Sequence, residues 1–182
     1  MIWEIITLLA LVAVLFLGKK KIFFYIWAFI IGIIVGLWWE LTAETEFTYT
    51  GFSIYIWKDI PLAIILQWGV AISGLVLISD YLQEKIPVSK KGKHVELINC
   101  FFWDFMVTLL LGMAMEVLGS SLFNMWTYAP NEMPAIVNIP LRWLAGWGWI
   151  GVFILTFIRR YDKFFEFKRI SKKTKDLQKL KS

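Results

Sequence analysis

Cysteine and histidine are almost absent. The 182 residues hold one of each, Cys100 and His94. A single thiol excludes an intrachain disulfide framework. The ligands favoured by zinc or haem are missing too. An all-carboxylate magnesium site would need only oxygen ligands, but no residue pattern points to one, so the expectation is a protein with no metal and no cofactor. Charge is also scarce: 18% of residues are charged against 59% hydrophobic, and the mean hydropathy is +0.65. A soluble domain of this length would be nearer half apolar and carry more charge. There is no Walker loop, no G-x-S-x-G and no H-E-x-x-H, the usual marks of nucleotide hydrolysis, acyl transfer and zinc proteolysis.

What the chain does have is long apolar blocks, at Ile2–Leu17, Ile22–Trp39, Ile60–Ser79, Val95–Leu118 and Ile139–Ile158. A helical span needs about 20 apolar residues, so the pattern predicts an all-α, polytopic membrane bundle of about five transmembrane helices. The first block is the shortest. It makes a poor signal peptide, because its positive charge, Lys19–Lys21, follows the apolar run. Seventeen of the 19 Lys and Arg fall in three segments, Lys19–Lys21, the loop 80–94 and the tail from Arg159. With five spans all three lie on one side, so the positive-inside rule predicts a cell-membrane protein with its N-terminus outside and C-terminus cytoplasmic. The sequence pI of about 9.3 then needs no nucleic acid to explain it. The tail 159–182 is expected to lie on the anionic inner leaflet, so membrane lipids are partners. Whether the chain assembles as a homo- or hetero-oligomer stays open.

The same pattern occurs twice. Trp27, Gly36 and Glu40 are followed by Ile60-Pro61-Leu62 and Trp68-Gly69; Trp103, Gly112 and Glu116 are followed by Ile139-Pro140-Leu141 and Trp147-Gly148. Only the gap between Glu and I-P-L differs, 19 residues against 22. The reading is an internal duplication. Residues 1–158 form one transmembrane domain, with an extra helix and basic loop at 1–21, repeat one at 22–79 and repeat two at 95–158. Each repeat is a helical hairpin that enters from inside, so the two are parallel repeats about an axis along the membrane normal. The connections 41–59 and 119–138 are too long for simple turns. Their aromatics are expected to fold onto the membrane, with Phe52–Trp57 as a short strand or an interfacial lid and Asn124, Asn131 and Asn138 as turn residues.

Glu40 and Glu116 are the candidate catalytic groups. Glu40 stands roughly 27 Å from Ile22 at about 1.5 Å per residue, near the far edge of the hydrocarbon. One such glutamate would read as an interfacial charge. Two at matched positions, each with glycine four residues earlier for close helix approach, read as a shared pocket. A carboxyl in an apolar pocket keeps its proton more readily, because desolvation disfavours the anion, and can act as an acid. Aromatic faces stabilise cations, so Trp39, Trp68, Trp126, Tyr128 and Trp147 are candidate substrate-binding residues. About half of the tryptophans fit an interfacial belt instead. Trp68 and Trp147 lie about 10 Å deep, seven residues past their prolines, which favours pocket lining. Gln67, Asp104 and Arg142 are further intramembrane polar groups, costly unless used or paired, and Asp104 and Arg142 join the candidate substrate-binding residues. Arg142 is placed to neutralise Glu116, which leaves Glu40 as the better acid. Asp104, whose counterpart is Ala28, either serves chemistry on one side or caps a contact between helices.

A glutamate, the W-x-Y element Trp126-Thr127-Tyr128, and I-P-L opening the next helix together resemble integral-membrane carotenoid enzymes. Small duplicated lycopene cyclases look like this, as do bisanhydrobacterioruberin-type hydratases and some fungal meroterpenoid cyclases. The resemblance covers about Ile22 to Ile158. It implies metal-free, acid-initiated cyclisation or hydration of an isoprenoid or carotenoid double bond, with an apolar isoprenoid or lipid-like ligand as partner. The lycopene cyclase pattern also has acids directly after the Pro–hydrophobic pair. Here those positions are Ala63-Ile64 and Arg142-Trp143, so only Glu40 and Glu116 carry over. The competing reading is a non-enzymatic membrane protein that binds or transports an amphipathic ligand, or a subunit of a larger membrane complex.

Overall fold

A computed structural model describes residues 2–43, 47–86, 93–129, 135–136 and 139–160. Five helices dominate: α1 (Ile2–Leu17), α2 (Ile22–Thr42), α3 (Leu62–Lys85), α4 (Lys93–Glu116) and α5 (Leu141–Ile150). A 3₁₀ turn, Lys19–Lys21, joins α1 to α2, and π-helical turns extend α4 through Val117–Leu122 and α5 through Gly151–Leu155. Among the described residues four segments are long and apolar enough to cross a membrane: Lys19–Thr42, Leu62–Lys85, Leu97–Leu122 and Leu141–Arg160. The molecule is therefore compatible with a multi-pass membrane protein. Of the five expected spans, α1 falls short. Its 16 residues extend roughly 24 Å, against about 30 Å of hydrocarbon.

The all-α expectation, which left room for one short strand within 52–57, also needs correction. Among the described residues six short strands form three two-stranded antiparallel ladders: β1 (Phe47–Tyr49) with β4 (Trp126–Tyr128), β2 (Tyr55–Trp57) with β3 (Ile60–Pro61), and β5 (Ala135–Ile136) with β6 (Ile139–Pro140). The connections carry too many backbone donors and acceptors to lie unpaired at a membrane edge, and the ladders satisfy them. Pro61 and Pro140 are not the first helical residues. Each is the extended N-cap of its helix, at φ −71° and −59°, and each closes a ladder with the strand before it. Asn124 is a turn residue with φ 48°, a left-handed conformation that asparagine tolerates. Asn131, Asn138, His94 and the tail beyond Arg160 lie outside the described residues or side chains.

The helices pack as antiparallel pairs, α2 on α3 and α4 on α5, with α3 also against α4 and α1. Ala28, Ile72, Val76, Val107, Leu155 and Ile158 form the buried centre. Small residues set the close approaches. A Cβ on Gly32 would meet the Trp68 carbonyl oxygen at 2.7 Å, and one on Gly69 would strike the Phe29 ring at 2.6 Å, as one on Gly148 would strike Phe105 at 2.6 Å. Large apolar side chains such as Leu9, Phe16, Phe23, Ile34, Phe153 and Phe157 point outward, where lipid would solvate them.

Candidate functional site

Glu40 stands in the last turn of α2 and Glu116 ends α4, and both are buried, at 3% and 8% exposure. Each carboxylate is held in the same way. Trp68 Nε1–H donates to Glu40 Oε1 at 2.9 Å, and Trp147 Nε1–H donates to Glu116 Oε1 at 2.9 Å. The Tyr49 hydroxyl donates to Glu40 Oε2, and the Tyr128 hydroxyl donates to Glu116 Oε2. Gly36 and Gly112 make this possible. A Cβ at either position would lie 2.3 Å from the indole of Trp68 or Trp147. The glycine opens a slot for the ring, and the indole N–H then reaches the glutamate one turn on. The glycines therefore admit tryptophan rings in addition to easing helix approach, and this couples G-x3-E to the distant W-G.

The two indoles meet. Trp68 and Trp147 stack with centroids 5.3 Å apart and planes 18° from parallel. Above them β1 pairs with β4 in the register Phe47↔Tyr128, Thr48↔Thr127, Tyr49↔Trp126. This ladder joins the two connections and carries both phenols to the glutamates. Burial first, and then the charge of the adjacent carboxylate, pushes the phenols of Tyr49 and Tyr128 well above the ordinary tyrosine range. Both stay protonated and act as donors.

Glu40 and Glu116 line one largely apolar cavity of about 300 Å³, with Trp39, Trp68, Trp126 and Trp147 also in its walls. Tyr49, Phe47, Gln67, Trp143 and Gly146 contribute as well, together with Thr7 of α1. Not every expected residue is there. Tyr128 holds Glu116 from behind and is not a wall residue. Arg142 is exposed, stands over the Trp143 ring at 5.2 Å and does not line the cavity. The groups that hold Glu116 are Tyr128, Trp147 and Trp126. Arg142 follows Leu141 at the start of α5, so its side chain leaves toward the surface.

Asp104 sits elsewhere. It is fully buried at the opposite end of the bundle, where Arg159 Nε and Nη2 donate to it at 3.2 and 2.9 Å and Ser79 Oγ–H donates to Oδ1. Arg159 also pairs with Asp80, which accepts from the Tyr25 hydroxyl at 3.3 Å. Asp104 thus ties α4 to α3 and to the end of α5. Among the described residues, no three His, Cys, Asp or Glu gather as a metal site would need.

Sequence reasoning missed Tyr49 and Arg159. The signal for Tyr49 was present: Phe47-Thr48-Tyr49 matches Trp126-Thr127-Tyr128. The signal for Arg159 was weaker. Asp80 and Arg159 each stand 20 residues after the isoleucine of I-P-L, but Arg159 reads as the first residue of a basic tail. No family model, curated protein or solved structure matches this chain.

Proposed function

We propose that this protein is a multi-pass membrane enzyme that protonates a carbon–carbon double bond of an isoprenoid and so starts a cyclisation or a hydration. The observation that carries the reading is the pair of buried carboxyls, Glu40 and Glu116, on one apolar cavity with the stacked indoles of Trp68 and Trp147. A proton passes from Glu40 to one alkene carbon, and a tertiary cation forms at the other. Indole faces within the wall stabilise it. In cyclisation a second double bond attacks the cation, and the new cation returns a proton to the carboxylate. In hydration a water oxygen attacks and loses its proton. Either way the carboxyl is regenerated, and no redox partner is needed.

The same reading takes the chain as a tandem duplicate with its halves related by rotation about the membrane normal. The matched Gly–Trp–Glu–Tyr contacts support this. It also takes the Arg159 end as cytoplasmic, on the bias of its basic residues. The test is mass spectrometry of lipid extracts from cells with and without the protein, and with Glu40→Gln or Glu116→Gln. A product made by the wild type and lost in at least one variant is expected. Full activity in both variants would end the acid mechanism. One observation favours a second reading, in which the carboxylates recognise an amphipathic ligand without chemistry: both oxygens of each glutamate already accept hydrogen bonds.

A further inference from the structure

The cavity has two sides that correspond between the matched motifs, and the chain treats them differently. On the α3/α4 side, α1 forms the wall. Gln67 Nε2 donates to Thr7 Oγ1 at 3.1 Å, and Trp3 meets Phe123 edge-on at 5.3 Å. On the α2/α5 side, Trp39 and Trp143 meet edge-to-face at 5.0 Å, with Phe47 5.0 Å from Trp143. Beside them lies Gly146. It holds the place in α5 that Gln67 holds in α3, directly before W-G. Among the described residues no helix covers α5 as α1 covers α3.

Gly146 also differs from the other glycines of the site. A Cβ on Gly36, Gly69, Gly112 or Gly148 would strike a ring at 2.3 to 2.6 Å, whereas one on Gly146 would find nothing within 4 Å among the described residues. The space it leaves opens on the cavity. Next to it on α5, Trp149 and Phe153 are exposed and stacked at 5.8 Å. The cavity, about 300 Å³, is at the small end of ligand pockets, which run from about 300 to 1,000 Å³. It can enclose the end of a polyprenoid but not its length.

We infer that Gly146 marks a lateral portal between α2 and α5. The end group of a long-chain isoprenoid enters there from the bilayer while the rest of the chain stays in lipid. α1 shuts the matching cleft, so the site is one-ended. This inference rests on the isoprenoid reading and adds the ligand class, a chain longer than its pocket.

The test uses the full chain in phosphatidylcholine nanodiscs with two photoactivatable probes: geraniol, which fits inside the cavity, and solanesol with a diazirine on its terminal isoprene unit. Adducts are mapped by mass spectrometry. Both probes are expected to label cavity residues of the wild type. Gly146→Leu should cut cavity labelling by the solanesol probe about tenfold, in the range that pocket sterics give, and cut labelling by the geraniol probe by less, since Gly146 is also a wall of the cavity. Gly146→Ala, a smaller change, should fall between. Equal labelling by both probes in Gly146→Leu overturns the portal, and so does equal loss of both. If the wild type takes up neither probe in its cavity, the isoprenoid reading falls and the portal with it. If it takes up solanesol but cells form no new product, the enzyme reading falls and the portal stands.

Discussion

Glu40 and Glu116 are held alike, except in one donor. Trp126 Nε1 lies 3.3 Å from Glu116 Oε2 as a third donor, and its ring rests over Gly119. The matching residue beside Glu40 is Phe47, which has no N–H. Glu40 therefore accepts from two groups and Glu116 from three. A carboxylate offers about four lone-pair sites, so Glu40 keeps more free capacity. Its phenol partner, Tyr49, also reaches the cavity, while Tyr128 does not. The matched pair is thus unequal, with Phe47 standing where the other motif has Trp126. Glu40 has room for a ligand atom, and Glu116 is built into the frame.

The sharpest test of that inequality is activity. Glu40→Gln is expected to lower product formation about 10³-fold, as loss of a general acid does, and Glu116→Gln to lower it about tenfold less. Equal losses, read from lipid extracts at matched protein levels, would mean the two sites share the chemistry. Next in size is the anchor at the opposite end, which only one half possesses. Asp104→Ala leaves Arg159 with Asp80 alone and should destabilise by about 3 kcal/mol, read as a lowered midpoint of thermal unfolding in detergent. An unchanged midpoint would show that Asp104 is not holding the helices together.

Gly36→Ala and Gly112→Ala probe what the halves share. Each methyl collides with a tryptophan that donates to a glutamate, and each should cost about 2 kcal/mol by overpacking. Similar losses support equivalent halves, and a large loss in only one would break the equivalence. The smallest expected effect is from Trp126→Phe, which gives Glu116 the environment of Glu40. Loss of the Trp126 N–H, shared between Glu116 Oε2 and the Tyr128 hydroxyl, should cost about 1 kcal/mol. Unfolding midpoints measure it, and a cost above that of Gly112→Ala would mean that the Trp126 ring matters more than its N–H.

The four long helices were legible because lipid-facing segments must be apolar along their whole length, and such runs stand out in a sequence. α1 was legible as an apolar block but not as a span: apolar character reads clearly, and the exact reach of a short helix against a bilayer does not. Glu40 and Glu116 were legible from the matched spacing of W-x8-G-x3-E. Trp68, Trp126, Tyr128 and Trp147 were legible as pocket residues, but their hydrogen bonds to the glutamates were not. Trp68 lies 28 residues from Glu40, and Trp147 lies 31 from Glu116, and local periodicity says nothing about contacts at that range. Of the ladders only β2, inside the stretch 52–57, was legible as a strand, because strands of two or three residues carry almost no pattern.

Composition and spacing alone determined that this is an apolar, multi-helix chain with two chemically matched motifs, since those properties are local and additive along the sequence. Only the tertiary structure decided what the motifs do. It brought Trp68 onto Trp147, joined β1 to β4, sent Arg142 to the surface and Asp104 to Arg159. Those outcomes depend on which surfaces fill one another's gaps. A glycine slot has meaning only once a particular ring lies in it, and that ring comes from another helix.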